Sequence, residues 1–213
     1  RRVLFRSCRR FNRYPLRSSI MAIRSLKSGS FSRSTQVGNS IILPGDYESI
    51  ATVTVGSGGS SSITFSSIPS TYTHLQLRVF AYGTQSVSDL TNMNISVNSG
   101  TSTANSHRLS GNGSTVSSYN GGAGYFQILL PTGTGLSTFG TGIVDFLDYA
   151  NTNKYKTIRG LGGYDLNGSG QVVIPSAYFA TTSAISSITL NTDGGLITGW
   201  GQYSKFALYG IRG

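Results

Sequence analysis

Charge is scarce in this sequence. Only 11% of its residues are Asp, Glu, Lys or Arg, against roughly a quarter in ordinary globular domains. The surface must therefore be built from Ser, Thr, Asn and Gly. Cysteine occurs once, at Cys8, and histidine twice, at His74 and His107. A disulfide framework is excluded and a zinc site is not expected. No window of twelve residues keeps a 3.6-residue apolar period, which argues against a long helical or coiled-coil protein. No apolar run reaches the length of a membrane-spanning helix. What is present is 213 residues with 38% hydrophobic side chains and 28 glycines, enough for one domain with an appendage and a sizeable core.

The charge that does exist is unevenly placed. A net charge of +10 points at first to nucleic acid. However, seven of the 17 basic residues are Arg1, Arg2, Arg6, Arg9, Arg10, Arg13 and Arg17, with no acid among them. Removing them leaves ten basic residues against seven acids, +3 for residues 21–213. An Arg-rich leader can be a targeting segment or a basic arm, although no apolar run of secretory type follows it. The alternative, which we favour, is that residues 1–20 are a non-native leader. Arg1-Arg2-Val3-Leu4-Phe5-Arg6-Ser7 resembles the in-frame translation of a sequencing adapter, residues 8–20 read as upstream sequence, and Met21 opens an ordinary start. A nucleic-acid partner then loses its support.

The rest reads as an arm followed by strands. Residues 21–48 are Ser-rich with scattered apolar positions, an extended arm closed by Pro44-Gly45-Asp46. From residue 49 to 213 the pattern is β. Ala51, Val53 and Val55 alternate with Thr52 and Thr54, and Ser62–Phe65 follows after Gly56-Ser57-Gly58-Gly59, which predicts a hairpin with a longer loop. Thr73–Tyr82 is the clearest strand, with Leu75, Leu77, Val79 and Ala81 on one face. Further strands are predicted at Asn92–Val97, Tyr125–Leu130, Gly142–Tyr149, Lys154–Leu161, Gln171–Phe179, Ser186–Leu190 and Lys205–Ile211. Turn clusters such as Gly133-Thr134-Gly135 and Asp193-Gly194-Gly195 separate them. About ten short strands with regular turns predict an all-β fold, an antiparallel β-sandwich or jelly roll. Asn98–Gly124 breaks the spacing: it reads as a functional loop, a disordered one, or a pair of extra strands around Leu109 and Val116.

Groups able to do chemistry are few. Asp145 and Asp148, three apart in one predicted strand, fall on opposite faces, which disfavours paired acid–base work. No nucleophile elbow or phosphate-binding loop is present. Asp165–Gly170 imitates the start of a calcium loop, but Ser176 stands where a bidentate Glu is required, so a hairpin turn is the better reading. Lys154, Lys156 and Arg159 form the body's only basic concentration and read as a solvated face. His74 reads as solvent-facing. Binding remains: His107 beside Arg108 suits an anionic group, and Tyr119 and Trp200, like Tyr125, Tyr164 and Tyr203, lie in or beside Gly-rich turns. There an aromatic face can stack on a sugar or a partner, with core packing as the alternative. The candidate ligand-binding residues are His107, Arg108, Tyr119 and Trp200; no catalytic, metal or cofactor site is expected.

Three phrases carry a resemblance: Ile68-Pro69-Ser70-Thr71-Tyr72-Thr73-His74-Leu75, Leu147-Asp148-Tyr149-Ala150-Asn151-Thr152-Asn153-Lys154-Tyr155-Lys156-Thr157, and Gln202-Tyr203-Ser204-Lys205-Phe206-Ala207-Leu208-Tyr209-Gly210-Ile211. Over Ser49–Gly213 the chain resembles small tail-fibre-like virion structural proteins of tailed bacteriophages. The resemblance implies a non-enzymatic β-sandwich module on the virion surface, tail-fibre or surface decoration, with other virion proteins as partners. It also implies a homo-oligomer, with a trimer as the first expectation, and a role in host adsorption. A carbohydrate-binding module for host surface glycans is the alternative function. A polysaccharide-degrading enzyme is disfavoured by the sparse carboxylates.

Overall fold

The computed structural model describes residues 35–37, 40–42, 46–84, 90–98, 100–124, 126, 128–133, 137–192 and 199–213. The leader 1–20, the arm up to residue 34, Tyr125, Thr134-Gly135 and the expected Asp193-Gly194-Gly195 turn lie outside the described residues. Within Arg1–Pro44, a unit of its own, β1 (Thr35–Val37) and β2 (Ser40–Ile42) form a small antiparallel hairpin.

The second unit, Gly45–Gly213, is an antiparallel β-sandwich. Its broad layer runs in the order β3 (Tyr47–Thr54), β16 (Lys205–Ile211), β5 (His74–Ala81), β11 (Gly140–Phe146), β12 (Lys156–Asp165), β13 (Gly170–Phe179) and β8 (Thr101–Gly111). The path continues from β8 into β7 (Leu90–Val97), β14 (Ile188–Thr192) and β4 (Ser62–Phe65). Strand β10 (Leu129–Pro131) pairs with β7, β9 (Val116–Gly121) with β8, and β6 (Gly83–Thr84) with β15 (Gly199–Trp200). Strand β8 belongs to both layers: Thr101 and Ser102 pair with β7, while the rest pairs with β13 on one edge and β9 on the other.

Alternation decides which face is buried. Leu75, Leu77, Val79 and Ala81 of β5 turn inward against Met93, Ile95 and Val97 of β7 and Ile188 and Leu190 of β14, all in one apolar cluster. Glycine makes the layers fit. Gly142, Gly160 and Gly162 sit beneath Ile128, whose side-chain carbons would stand only 2.9–3.0 Å from a Cβ added at any of the three. The segment Phe126–Leu130 can therefore lie against the inner face of β11 and β12, with Phe126, Ile128 and Leu130 fully buried.

Several strands fall where the alternation places them, and the differences have physical reasons. The first two β runs do not form a hairpin: β3 pairs with β16 and β4 with β14. The Gly-rich connector carries the chain from one layer to the other, letting Val55 and then Ile63 and Phe65 enter the core from separate strands. Asn98–Gly124 is the long β8–β9 hairpin, the extra-strand reading. Its inward positions Thr103, Ser106 and Ser110 are themselves polar, so the segment carries no apolar strand signal. Asp165–Gly170 closes the β12–β13 hairpin, with Asn167 and Gly168 at φ 55° and 121° as a tight Asn-Gly turn demands. Pro175 lies inside β13, where it has no N–H for the ladder, and the β12–β13 pairing skips Gly160 and Leu161, which face Pro175 and Ile174.

Candidate functional site

The broad layer turns one face inward and leaves the other open, and cross-strand register organises that open face into rows. One row reads Arg78, Ile143, Leu161, Ile174, Leu109, Ser118 across β5, β11, β12, β13, β8 and β9. Leu161 falls opposite Ile174 because Arg159 pairs with Ser176 and Gly162 with Val173 on either side. On the side toward the β12–β13 turn lies Phe80, Thr141, Gly163, Val172, Gly111, Val116; on the other lies Gln76, Asp145, Arg159, Ser176, His107, Asn120. The apolar members are well exposed, from 40% at Ile143 to 76% at Val116. These exposed Ile, Leu and Val side chains are contiguous, unlike the singly scattered apolar residues of an ordinary wetted face.

The face has relief as well as pattern. Gly163 carries no side chain between Thr141 and Val172, and a depression of about 400 Å³ opens there, lined also by Ile143 and Leu161. In the polar row, Asp145 accepts from Arg159 Nε at 3.2 Å and from Gln76 Nε2 at 2.9 Å. Beyond that row a second groove of about 440 Å³ is lined by Asn105, His107, Tyr155, Thr157, Ser176 and Tyr178. The Tyr155 and Tyr178 rings stack with centroids 6.1 Å apart and planes 12° from parallel, and Tyr155 is exposed. Two aromatic faces beside an amide, an imidazole and two hydroxyls suit a flat, polyhydroxylated ligand.

The sequence-predicted site residues separate. His107 points to the open face and lines the Tyr155–Tyr178 groove. Arg108, its neighbour on the strand, points the opposite way; its guanidinium lies 5.4 Å from the Tyr119 ring centroid. Burial lowers the Arg108 pKa, with Tyr119 and Tyr164 opposing the shift. Tyr119 is half-exposed on β9. Trp200 is not an exposed turn aromatic: it is fully buried, edge-on to Phe206 at 5.1 Å, with its indole N–H donating to the Leu190 carbonyl. Gly199 before it permits the close approach of Ser60 and Gly201 after it that of Tyr82. The groove tyrosines Tyr155 and Tyr178 lie 23 residues apart in sequence, one just after a turn and one inside a strand, so no local pattern pairs them.

The basic concentration also disperses. Lys156 is buried, not solvated, and its Nζ donates to the carbonyls of Asn151, Lys154 and Thr182. Lys154 pairs with Asp148 and Arg159 with Asp145. Asp148 lies beyond the end of β11, in a turn with φ 48°, where its backbone N–H donates to His74 Nδ1 at 2.9 Å. Asp145 and Asp148 thus serve separate ion pairs. Among the described residues no group of three His, Cys, Asp or Glu side chains stands close enough to hold a metal ion, and no helix is long and apolar enough to cross a membrane.

No protein-family model matches the chain, and neither a curated protein nor a solved structure shows significant similarity to it.

Proposed function

We propose that the chain is a structural module of a virion, tail-fibre-like or surface-decorating, that acts through its open sheet face rather than through catalysis. The observation carrying this reading is the exposed apolar row Ile143, Leu161, Ile174 and Leu109 on four adjacent strands. A subunit built to pack against other proteins needs such a face, whereas a free monomer has reason to avoid it. The resemblance over Ser49–Gly213 supplies the virion context. Other virion proteins and further copies of this chain are the partners, and a trimer is the oligomer the resemblance favours. Immunoelectron microscopy of purified phage particles encoding the chain tests this: label on the tail or capsid exterior supports the reading, and particles lacking the protein overturn it.

The groove at Tyr155 and Tyr178 favours a second reading, host-surface glycan binding. The rings would stack on the apolar face of a sugar, while Asn105, His107, Thr157 and Ser176 hydrogen-bond its hydroxyls. A glycan array run with the full chain, Tyr155→Ala and Tyr178→Ala is the test. Binding lost in both variants supports it; binding unaffected by either, or none at all, removes it.

A further inference from the structure

We infer that the open face of the broad sheet is the contact surface for a second copy of this chain, packed face to face about a two-fold axis. The axis lies in the interface, parallel to the strands, between β12 and β13.

The rows select this arrangement. Such an axis reverses strand order while keeping each row over itself, as aligned packing of two sheets about 10 Å apart requires. Leu161 then meets Ile174 of the second copy, and Ile143 meets its Leu109. In the neighbouring row, exposed Val172 projects toward the depression at Gly163 of the other copy, a knob against a hole, made twice by symmetry. In the polar row Asp145 faces His107 of the second copy, a carboxylate opposite a ring that can donate to it.

Other placements fit less well. An axis running across the strands would lay the apolar Phe80 row against the row of Asp145, Arg159 and His107, burying charge against hydrocarbon. An axis between β11 and β12 would press Arg78 onto Ile174 and Lys205 of β16 onto Gly111. The area is also sufficient. Six strands about 4.8 Å apart and three rows about 6.8 Å apart span a patch of roughly 29 by 20 Å. That is about 580 Å² per copy in projection, or about 1,160 Å² for the pair, which clears the ~1,000 Å² total of a specific interface.

The inference stands apart from the particle reading, since a chain that pairs in solution need not enter a virion. The test measures the mass of the full chain by light scattering, with Ile174→Lys and Leu161→Glu made separately. Both sites are about half exposed in a single copy, so the variants keep the fold, which circular dichroism checks. The wild-type chain is expected as a dimer, and each variant alone as a monomer with dimer affinity reduced at least tenfold. An equimolar mixture of the two is expected to recover the dimer, because the carboxylate introduced in one chain then meets the ammonium introduced in the other. A monomeric or trimeric wild type, a dimer that survives Ile174→Lys, or a mixture that stays monomeric overturns the inference. A trimer would leave the particle reading intact.

Discussion

The ring of Tyr82 lies so close over Gly201 that a Cβ added to Gly201 would overlap its ring carbons. The contact is tied in place from both sides, because the Gly201 N–H donates to the Tyr82 carbonyl at 2.9 Å and Ser204 Oγ accepts from the Tyr82 N–H. Tyr82 is itself buried, with the Phe139 ring edge-on at 5.0 Å, so the ring has no free side to move toward. Gly201→Ala is therefore expected to destabilise the domain by about 2 kcal/mol through overpacking. At roughly 2–4 °C per kcal/mol for a chain of this size, thermal denaturation checks it. An unchanged melting temperature would mean that the ring yields freely.

A glycine of this kind is legible in a sequence only as a glycine, and the same limit governs the rest of the fold. Strand β5 could be read from Leu75, Leu77, Val79 and Ala81 because it is buried on one face only, and β16 from a continuous apolar run, Phe206–Leu208, that is buried throughout. Strands β8 and β9 could not be read as firmly, since Ser, Asn and Thr dominate them. Pairing partners were harder still. The Val53–Val55 and Ile63–Phe65 runs look like a hairpin until tertiary packing sends them to opposite layers. At the candidate site, His107 was visible as a rare side chain, but Tyr155 and Tyr178 become partners only through β12–β13 register and the turn before it.

Lys156 is predicted to hold a loop rather than a ligand. Its Nζ gathers carbonyls from Asn151, Lys154 and Thr182, bringing the β11–β12 turn to the segment after β13. Lys156→Met would keep the stem and leave those carbonyls without their donor. A loss of about 1–2 kcal/mol is expected, the net worth of charge-assisted hydrogen bonds to part-buried carbonyls. Hydrogen exchange should quicken around residues 151–154 and 181–183. If the melting temperature holds and exchange stays slow, water replaces the ammonium at little cost.

The acid side of the stability profile follows from two ion pairs. The hydrogen bond from Lys154 is the largest cause of a lowered Asp148 pKa, and the hydrogen bond from Arg212 (2.8 Å) does the same for Glu48. A carboxyl whose folded pKa lies below its unfolded value contributes stability above the unfolded value, near 4. That contribution is lost as pH falls through the folded value. Stability is therefore expected to decline on acidification below about pH 4. In Lys154→Ala the Asp148 carboxyl should titrate at higher pH, followed by its side-chain carbon resonance. An Asp148 midpoint unchanged by Lys154→Ala would show that the pair does not form in solution.

Ile128 tests how the two layers meet. The glycines at 142, 160 and 162 leave room on the inner sheet face, and Ile128 fills it from a segment that is itself only partly strand. Since backbone borders much of this space, the surroundings cannot collapse inward by rotating side chains. Ile128→Ala is therefore expected at the costly end of core truncations, about 4 kcal/mol, as measured by denaturant unfolding. Gly142→Ala in the same background should recover part of that loss, because the three atoms nearest its added methyl all belong to the isoleucine that has been removed. In the wild-type background the same Gly142→Ala should destabilise, since its Cβ would stand 2.9 Å from Ile128 Cγ2. A change that harms one background and helps the other cannot come from strand propensity, which is the same in both. Equal effects in the two backgrounds would place Ile128 elsewhere than over this glycine floor.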